Sequence, residues 1–486
     1  MSSLKHKTIS GVAWSSLERF SVQGIQFIIQ IIMARILMPE DYGVVAMLAI
    51  FLAVFQTFID SGFSSALVQK NDRSEIDYST VFYFNIGISV ALFLVFFFSA
   101  PLIAGFYNTP ILTSVTKIVS LNLLINAFAI VPRAKLTVLI DFKTQAKASL
   151  TAVIISGAIG IWMAYSGFGV WALVYQSLLN NGINTLLLWI LVKWWPTWAF
   201  SMASFKRLFS FGSKLLLSGL LDTVFRNLYT LVIGKKFTAQ DLGYYSRADQ
   251  FAQFPTTNIT NIIWKVAMTV MCIEQNNDVL LKSMFDKFLR LSAYIVFPLM
   301  IGFAALAYPF VHLVLTEKWI SIVPIMQILC FSYLWFPFHV INLSVLQAKG
   351  RSDLFLRVEI IKKILCVLIL ICTIPFGIIV MCIGIAVSSL LSLYINAYYT
   401  EKILDIGFGQ QMKSIIPSFL LALVMGVFVF LFTKINLSSL LLLVAGTLLG
   451  LCFYIGGSII FKMKAWVEMR ALSIEYIEKF TNKIIK

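Results

Sequence analysis

Apolar residues fill the chain in long blocks separated by short polar interruptions, and each block has the length a helix needs to cross a bilayer, about 20 residues. The blocks predict spans at 12–37, 44–68, 80–106, 114–132, 149–166, 169–192, 211–234, 244–271, 291–315, 319–346, 354–374, 377–400, 412–433 and 438–461. The fold class is therefore expected to be an all-α polytopic membrane protein with about fourteen transmembrane helices. Basic residues test the count, because Lys and Arg accumulate in cytoplasmic loops. With the N-terminus inside, 25 of them fall in inner segments and only Lys235, Lys236, Lys318 and Lys434 in outer ones. A span missed in the middle would exchange the sides of every later loop and erase that contrast. Both termini are expected in the cytoplasm.

The blocks also repeat. Leu37-Met38-Pro39-Glu40-Asp41-Tyr42-Gly43 follows the first span, and Phe237-Thr238-Ala239-Gln240-Asp241-Leu242-Gly243 follows the seventh, 200 residues later. Pro132 and Pro337 give a second echo, late in the fourth and tenth spans. The predicted organisation is an N-terminal six-helix lobe (1–192), an interfacial cytoplasmic loop (193–210), a C-terminal six-helix lobe (211–400), two additional helices (401–461) and a cytoplasmic amphipathic tail (462–486). Six is even, so both lobes enter from one side, as parallel repeats related by an axis along the membrane normal. The loop carries Trp194, Trp195, Trp198, Phe200, Phe205 and Phe209 among basic residues, an interfacial belt. In the tail, Trp466, Met469, Leu472, Tyr476 and Phe480 recur at helical spacing, as in a helix lying on the membrane surface.

Composition agrees with the bilayer as solvent. Of 486 residues, 59% are hydrophobic and 12% charged, roughly half the charged fraction of a soluble domain. The first ten residues are basic but lead to no short apolar region with a small-residue cleavage site, so the first span is expected to stay in the chain. Six cysteines, none in a Cys-x-x-Cys pair, read as buried small hydrophobes. The net charge of +16 is accounted for by topology and by attraction to anionic headgroups, with no call for nucleic acid.

Charges that remain inside the spans are costly, at least about 2.5 kcal/mol each at the bilayer centre, so they must face protein or water. Nine basic and five acidic residues qualify. They and their polar neighbours fall into stripes: Arg19, Gln23, Gln26 and Gln30 in the first span; Gln56 and Asp60 in the second; Asn122, Asn126 and Arg133 in the fourth. Ser218, Asp222 and Arg226 follow in the seventh, and Gln250, Thr257, Asn261 and Lys265 in the eighth. A cavity lined by these helices would be net positive and attract anions. Each stripe also has a plainer reading. The glutamines serve as interhelical contacts, worth about 0.6 kcal/mol each; Asp222 and Arg226 neutralise each other one turn apart; Glu359 pairs with Lys362 or Lys363 at the interface. His339, three residues before Asn342, is either a proton-linked group or a hydrogen-bonded core histidine. Arg19, Arg247 and Lys265 have no opposite charge one turn away on their own face. No catalytic constellation, Gly-rich phosphate loop or HExxH is present, so an enzyme is not expected, nor a metal site or cofactor.

Several segments resemble the polysaccharide-transporter branch of the multidrug/oligosaccharidyl-lipid/polysaccharide superfamily, the Wzx-like exporters. They are Ala34–Gly43, Asp60-Ser61-Gly62-Phe63 with Ala66–Gln69, Val131-Pro132-Arg133-Ala134, Gly167–Val174, Phe211-Gly212-Ser213-Lys214, Gly243–Ala248 and Glu317-Lys318-Trp319, spread over most of the first 350 residues. The turn at Phe237–Asp241 lacks the helix-breaking pattern common in the family, which leaves the repeat approximate. The resemblance implies an inner-membrane flippase that moves an undecaprenyl-diphosphate-linked oligosaccharide outward by alternating access through a cationic central cavity. On that basis Arg19, Arg133, Arg226, Arg247 and Lys265 would hold the anionic headgroup, Asp60 and Asp222 would neutralise them during switching, and Gln23, Gln26 and Asn261 would meet sugar hydroxyls. The implied partners are the lipid-linked oligosaccharide, membrane lipids and polysaccharide polymerase machinery; the coupling ion, proton or sodium, stays open. The alternative is a cation-coupled small-molecule or drug antiporter of the same superfamily, which calls for an acidic cavity.

Overall fold

The computed structural model describes residues 2–60, 63, 66–67, 72–471 and 474, with the side chains of 2–13, 15–17, 19, 210, 211, 214 and 215 outside the description. Every regular element among them is helical. Packing divides the chain into two compact units, Met1–Ser246 and Arg247–Lys486.

The first unit contains α1 (Ser2–Ile36), α2 (Pro39–Asp60), α3 (Glu75–Phe98), α4 (Ala100–Tyr107), α5 (Leu112–Val119), α6 (Leu121–Val138), α7 (Phe142–Tyr165) and α8 (Val170–Val192). It continues with α9 (Met202–Arg226), α10 (Leu228–Lys236) and the first turns of α11 (Ala239–Ile273). Side-chain caps decide where several helices start. Ser74 and Asp77 form a reciprocal capping box at α3, and Asp141 accepts from Thr144 N at α7. Asn227 separates α9 from α10: its Nδ2 donates to Thr223 O at 2.8 Å, and the chain bends by 42° there. α9 begins inside the stretch expected as interfacial loop, so the irregular part is confined to 193–201. The repeat assigns α9 and α10 to the second lobe, yet both pack on α2, where Thr57 and Thr223 hydroxyls lie 3.1 Å apart and the Thr57 methyl rests on Gly219. They therefore fall in the first unit.

The loop is bolted to the start of α3. Glu75 accepts from Lys135 Nζ at 2.7 Å and from Trp194 Nε1 at 2.7 Å, while Lys135 lies over the rings of Tyr78 and Trp194. Ser79 and Thr197 hydroxyls meet at 2.9 Å, and Ser201 N donates to Thr80 Oγ1. Trp198, by contrast, is 98% exposed, as an interfacial anchor should be. Glu75→Ala removes two donors' shared acceptor and is expected to lower stability by about 1–3 kcal/mol; Glu75→Gln, which keeps an acceptor, should recover part of the loss in detergent melting curves.

The second unit continues through α12 (Asp278–Ala305), α13 (Ala307–Val314), α14 (Ile322–Tyr333), α15 (Phe336–Ala348), α16 (Ser352–Thr373), α17 (Ile378–Leu404), α18 (Phe408–Phe432) and α19 (Ser439–Ile460). Long α12, short α13, then α14 and α15 repeat the order of α3 to α6. α19 buries Leu442, Gly446, Gly450, Tyr454 and Ser458, one residue in four, and exposes Leu448, Leu451, Ile455 and Ile459 on the opposite side. Small residues thus bring it close to α18, and the large aliphatic ones face lipid.

This is a multi-pass membrane protein. Nine helices among the described residues are long and apolar enough to cross a bilayer, ten if the bent α9–α10 pair is one span, against about fourteen expected from the sequence. The long helices outside that set, α1, α8, α11 and α16, carry polar or charged residues along their middles, such as Gln176, Asn180, Asn181 and Asn184 in α8. Those same residues direct attention to the interior sites.

Candidate functional site

In the first unit a chain of carboxamides links three helices. Asn181 of α8 donates to Asn122 Oδ1 of α6 at 2.8 Å. One turn along α6, Asn126 donates to Gln56 Oε1 of α2 at 3.1 Å, and Gln56 donates to Asp60 at 3.2 Å. Helical spacing of four places Asn122 with Asn126, and Gln56 with Asp60, on common faces. A cavity of about 240 Å³ lies among them, lined also by Ser177 and the apolar Leu52, Ala53 and Leu123. Arg133, farther along α6, is exposed and lies within electrostatic reach of both Asp60 and Glu18. Glu18 in turn accepts from Ser149 Oγ at 2.9 Å.

The other expected site residues are distributed as follows. The side chain of Arg19 lies outside the described residues. Gln23 and Gln26 are half-buried on α1 and form no hydrogen bond to another described side chain. Asp222 and Arg226 pair at 2.8 Å within α9, both more than half exposed, which is the self-neutralising arrangement. Arg247, Asn261 and Lys265 share one face of α11, eighteen residues separating the outer two by five whole turns. Lys265 is exposed and has no ion pair among the described residues. Glu359 pairs with Lys362 at 2.5 Å. His339 is a hydrogen-bonded core residue, with Ser389 Oγ at 3.1 Å from Nε2 and Asn396 Nδ2 at 3.0 Å from Nδ1. Behind it Asn342 and Gln411 exchange two hydrogen bonds of 3.0 Å.

The second unit holds a larger feature that sequence reasoning missed. A groove of about 890 Å³ runs between α12, α18 and the end of α19. Its inner stretch is apolar, formed by Leu420, Leu421, Val424 and Phe453; its mouth gathers Asp286, Arg290, Lys413, Lys462 and Lys464. Arg290 donates to Asp286 and, at 2.6 Å, to Glu468 of the helical residues 464–471, so the segment after α19 is fastened across the mouth. Ser414 of α18 also donates to Asp286. Lys413, Lys462 and Lys464 are exposed and form no ion pair among the described residues. Leu472, Tyr476 and Phe480 of the expected amphipathic tail lie outside the described residues. The available signal was the i, i+4 spacing of Asp286 and Arg290, an acid followed by a base on one helix face; in the sequence Arg290 counts instead as one more inner-loop charge.

A family model described as polysaccharide biosynthesis protein matches residues 32–324. The chain is 27% identical to the teichuronic acid biosynthesis protein TuaB of Bacillus subtilis over 88% of this chain and 90% of that one. It is 27% identical to the lipopolysaccharide biosynthesis protein WzxC of Escherichia coli over 75% and 74% of the two chains. The succinoglycan biosynthesis transport protein ExoT of Rhizobium meliloti is 25% identical over 67% and 66%. Among solved structures, the lipid II flippase MurJ in an inward closed conformation aligns with a TM-score of 0.76 at 14% identity, covering 92% of this chain and 98% of that one. An inward-facing multidrug resistance transporter of the MATE family gives 0.63 at 14% identity, over 79% and 94%. At these identities the two structures establish the fold alone.

Proposed function

The chain belongs to the polysaccharide biosynthesis protein family, and from that premise we propose that it is a member of the multidrug/oligosaccharidyl-lipid/polysaccharide superfamily that flips an undecaprenyl-diphosphate-linked oligosaccharide across the bacterial inner membrane. The cargo would be a repeat unit of lipopolysaccharide, O-antigen or exopolysaccharide, moved by alternating access and handed on to polymerase machinery. The observation that carries this reading is the groove of the second unit. It joins an apolar trench to a mouth with three unpaired lysines, Lys413, Lys462 and Lys464, as an amphiphile with a lipid tail and an anionic head would require. Both termini are proposed to be cytoplasmic, from the 25 inner against four outer basic residues. The mouth, at the start of α18 and the end of α19, then opens to the leaflet in which such a precursor is made. Relatives named for teichuronic acid, lipopolysaccharide and succinoglycan biosynthesis support the same class of cargo.

Arg19, Arg133, Arg226, Arg247 and Lys265 are proposed to contact the headgroup during transport, with Asp60 and Asp222 neutralising them when it leaves. Arg133 and Lys265 are the exposed cations free of ion pairs in that set. Proteoliposomes carrying the protein and a fluorescent undecaprenyl-diphosphate-linked glycan provide the test. Protein-dependent movement between leaflets is expected, and a rate equal to that of empty vesicles overturns the proposal. Arg133→Ala and Lys265→Ala, at normal protein level, should each slow movement by about tenfold, the loss of one charge-assisted hydrogen bond.

A further inference from the structure

Given the export function proposed above, on which this step rests, we infer that the carboxamide cavity of the first unit seats one neutral, hydroxyl-bearing sugar ring of the cargo. The hydrogen bonds already made leave a defined set of unused groups. One N–H of Asn181 Nδ2 goes to Asn122 Oδ1, one of Asn126 Nδ2 to Gln56 Oε1, and one of Gln56 Nε2 to Asp60. What remains is both N–H groups of Asn122, one N–H on each of Asn126, Asn181 and Gln56, and the unused carbonyl oxygens of Asn126 and Asn181, with the Ser177 hydroxyl able to donate or accept. A polar group in a membrane helix without a partner is costly, so this residue of unused capacity calls for an occupant.

The mixture identifies the occupant's class. A metal cation would be met by oxygens alone, and an anion by N–H groups or positive charge. Neighbouring sugar hydroxyls each donate one hydrogen bond and accept others, so they match a surface that offers both. The remaining wall, Leu52, Ala53 and Leu123, suits the C–H face of a ring. Size agrees: about 240 Å³ lies below the roughly 300–1,000 Å³ of pockets for drug-sized ligands, enough for one ring and too little for an oligosaccharide. Because α2, α6 and α8 each contribute a carboxamide and these orient one another, the groups are held before the ring arrives. The cavity would then read the glycan, while the cationic residues hold the diphosphate.

Asn122→Leu with Asn181→Leu removes both partners of one hydrogen bond, which keeps the branched side-chain shape and leaves neither group orphaned. Proteoliposomes would be loaded with undecaprenyl diphosphate bearing a single N-acetylglucosamine, or with undecaprenyl diphosphate alone. The ratio of the two initial flipping rates, sugar-bearing over sugar-free, is expected to fall about tenfold in the double variant, as for a lost pair of hydrogen bonds. An equal fall for both lipids, with the ratio unchanged, overturns the inference and leaves the residues as interhelical contacts. If the double variant does not fold, Ser177→Ala decides in its place, since it removes only a hydroxyl, from an exposed position on the cavity wall; an unchanged ratio overturns the inference. A wild-type protein that moves neither lipid overturns the export function itself, and the sugar site with it.

Discussion

Gly43→Ala and Gly243→Ala are each expected to destabilise the protein by about 3 kcal/mol or more, at the upper end of the cost of overpacking, and together by much less than twice that. The two glycines occupy equivalent places in the repeated turns, and the turns pack on each other. A Cβ on Gly43 would lie 1.6 Å from Ala239 O, and one on Gly243 would lie 1.9 Å from Pro39 O. Residue 39 is to 43 as 239 is to 243, so each glycine receives the backbone of the other turn's first helical residue. In both cases the obstacle is a carbonyl inside a helix, which cannot swing aside as a side chain does. An alanine must therefore push the first turns of α2 and α11 apart. Once the first alanine has done so, the second finds room already made, which gives a strong favourable coupling in a double-mutant cycle. Melting temperatures of the wild type, both single variants and the double variant in one detergent measure it. Additive losses would mean that the turns do not share one contact. Asp41 and Asp241 are predicted to matter less. Asp41 accepts from Met38 N at 2.9 Å, and Asp241 from Thr238 Oγ1 at 2.8 Å and Thr238 N at 3.3 Å. Both are capping contacts, worth about 1 kcal/mol.

This pair shows how far the sequence could be read. The 200-residue spacing of Asp41 with Asp241, and of Gly43 with Gly243, is plain in the letters, and the cap follows from an acid in the first turn of a helix. Their mutual contact does not follow, because periodicity says which face a residue occupies and never which helix lies opposite. The same limit explains the interior of the first unit. Gln56, Asn122 and Asn126 stand out at helical spacing, while their partner Asn181 sits in a span whose four carboxamides read only as weak hydropathy. Apolar length predicts most span positions, since bilayer thickness fixes it, but it does not predict helix breaks. Ser99, between α3 and α4, and Leu306, between α12 and α13, mark breaks whose signal is the proline just beyond, Pro101 or Pro309, which has no N–H to continue the preceding helix. Arg290 illustrates a third limit: a charge near a span end reads as topology when Lys282 and Lys287 precede it, although α12 begins at Asp278 and carries all three within the helix.

Arg290→Ala is the second substitution expected to have a large effect, and its cause is the charge it leaves behind. Arg290 is only 19% exposed and satisfies two carboxylates at once, Asp286 on its own helix and Glu468 beyond α19. Removing it places two acids side by side at the edge of an apolar groove with a single hydroxyl, Ser414, to serve Asp286. Breaking a buried pair in this way costs about 3–5 kcal/mol, because the surviving charge has lost its compensation; partial exposure of Glu468, at 25%, sets the expectation at the lower end. The loss should be local first. Residues 464–471 are tied to α12 through Glu468, so protease should cut that segment in Arg290→Ala at concentrations that spare the wild type. Arg290→Lys keeps one charge but lacks the fork that reaches both acids, and should fall between the two. Glu468→Ala should free the segment with a smaller fall in melting temperature, since Arg290 keeps Asp286. If Arg290→Ala melts with the wild type and its end remains uncut, the cluster does not fasten the groove's mouth. If the segment is freed and lipid-linked glycan still moves at the wild-type rate, the groove does not have to be closed there for transport.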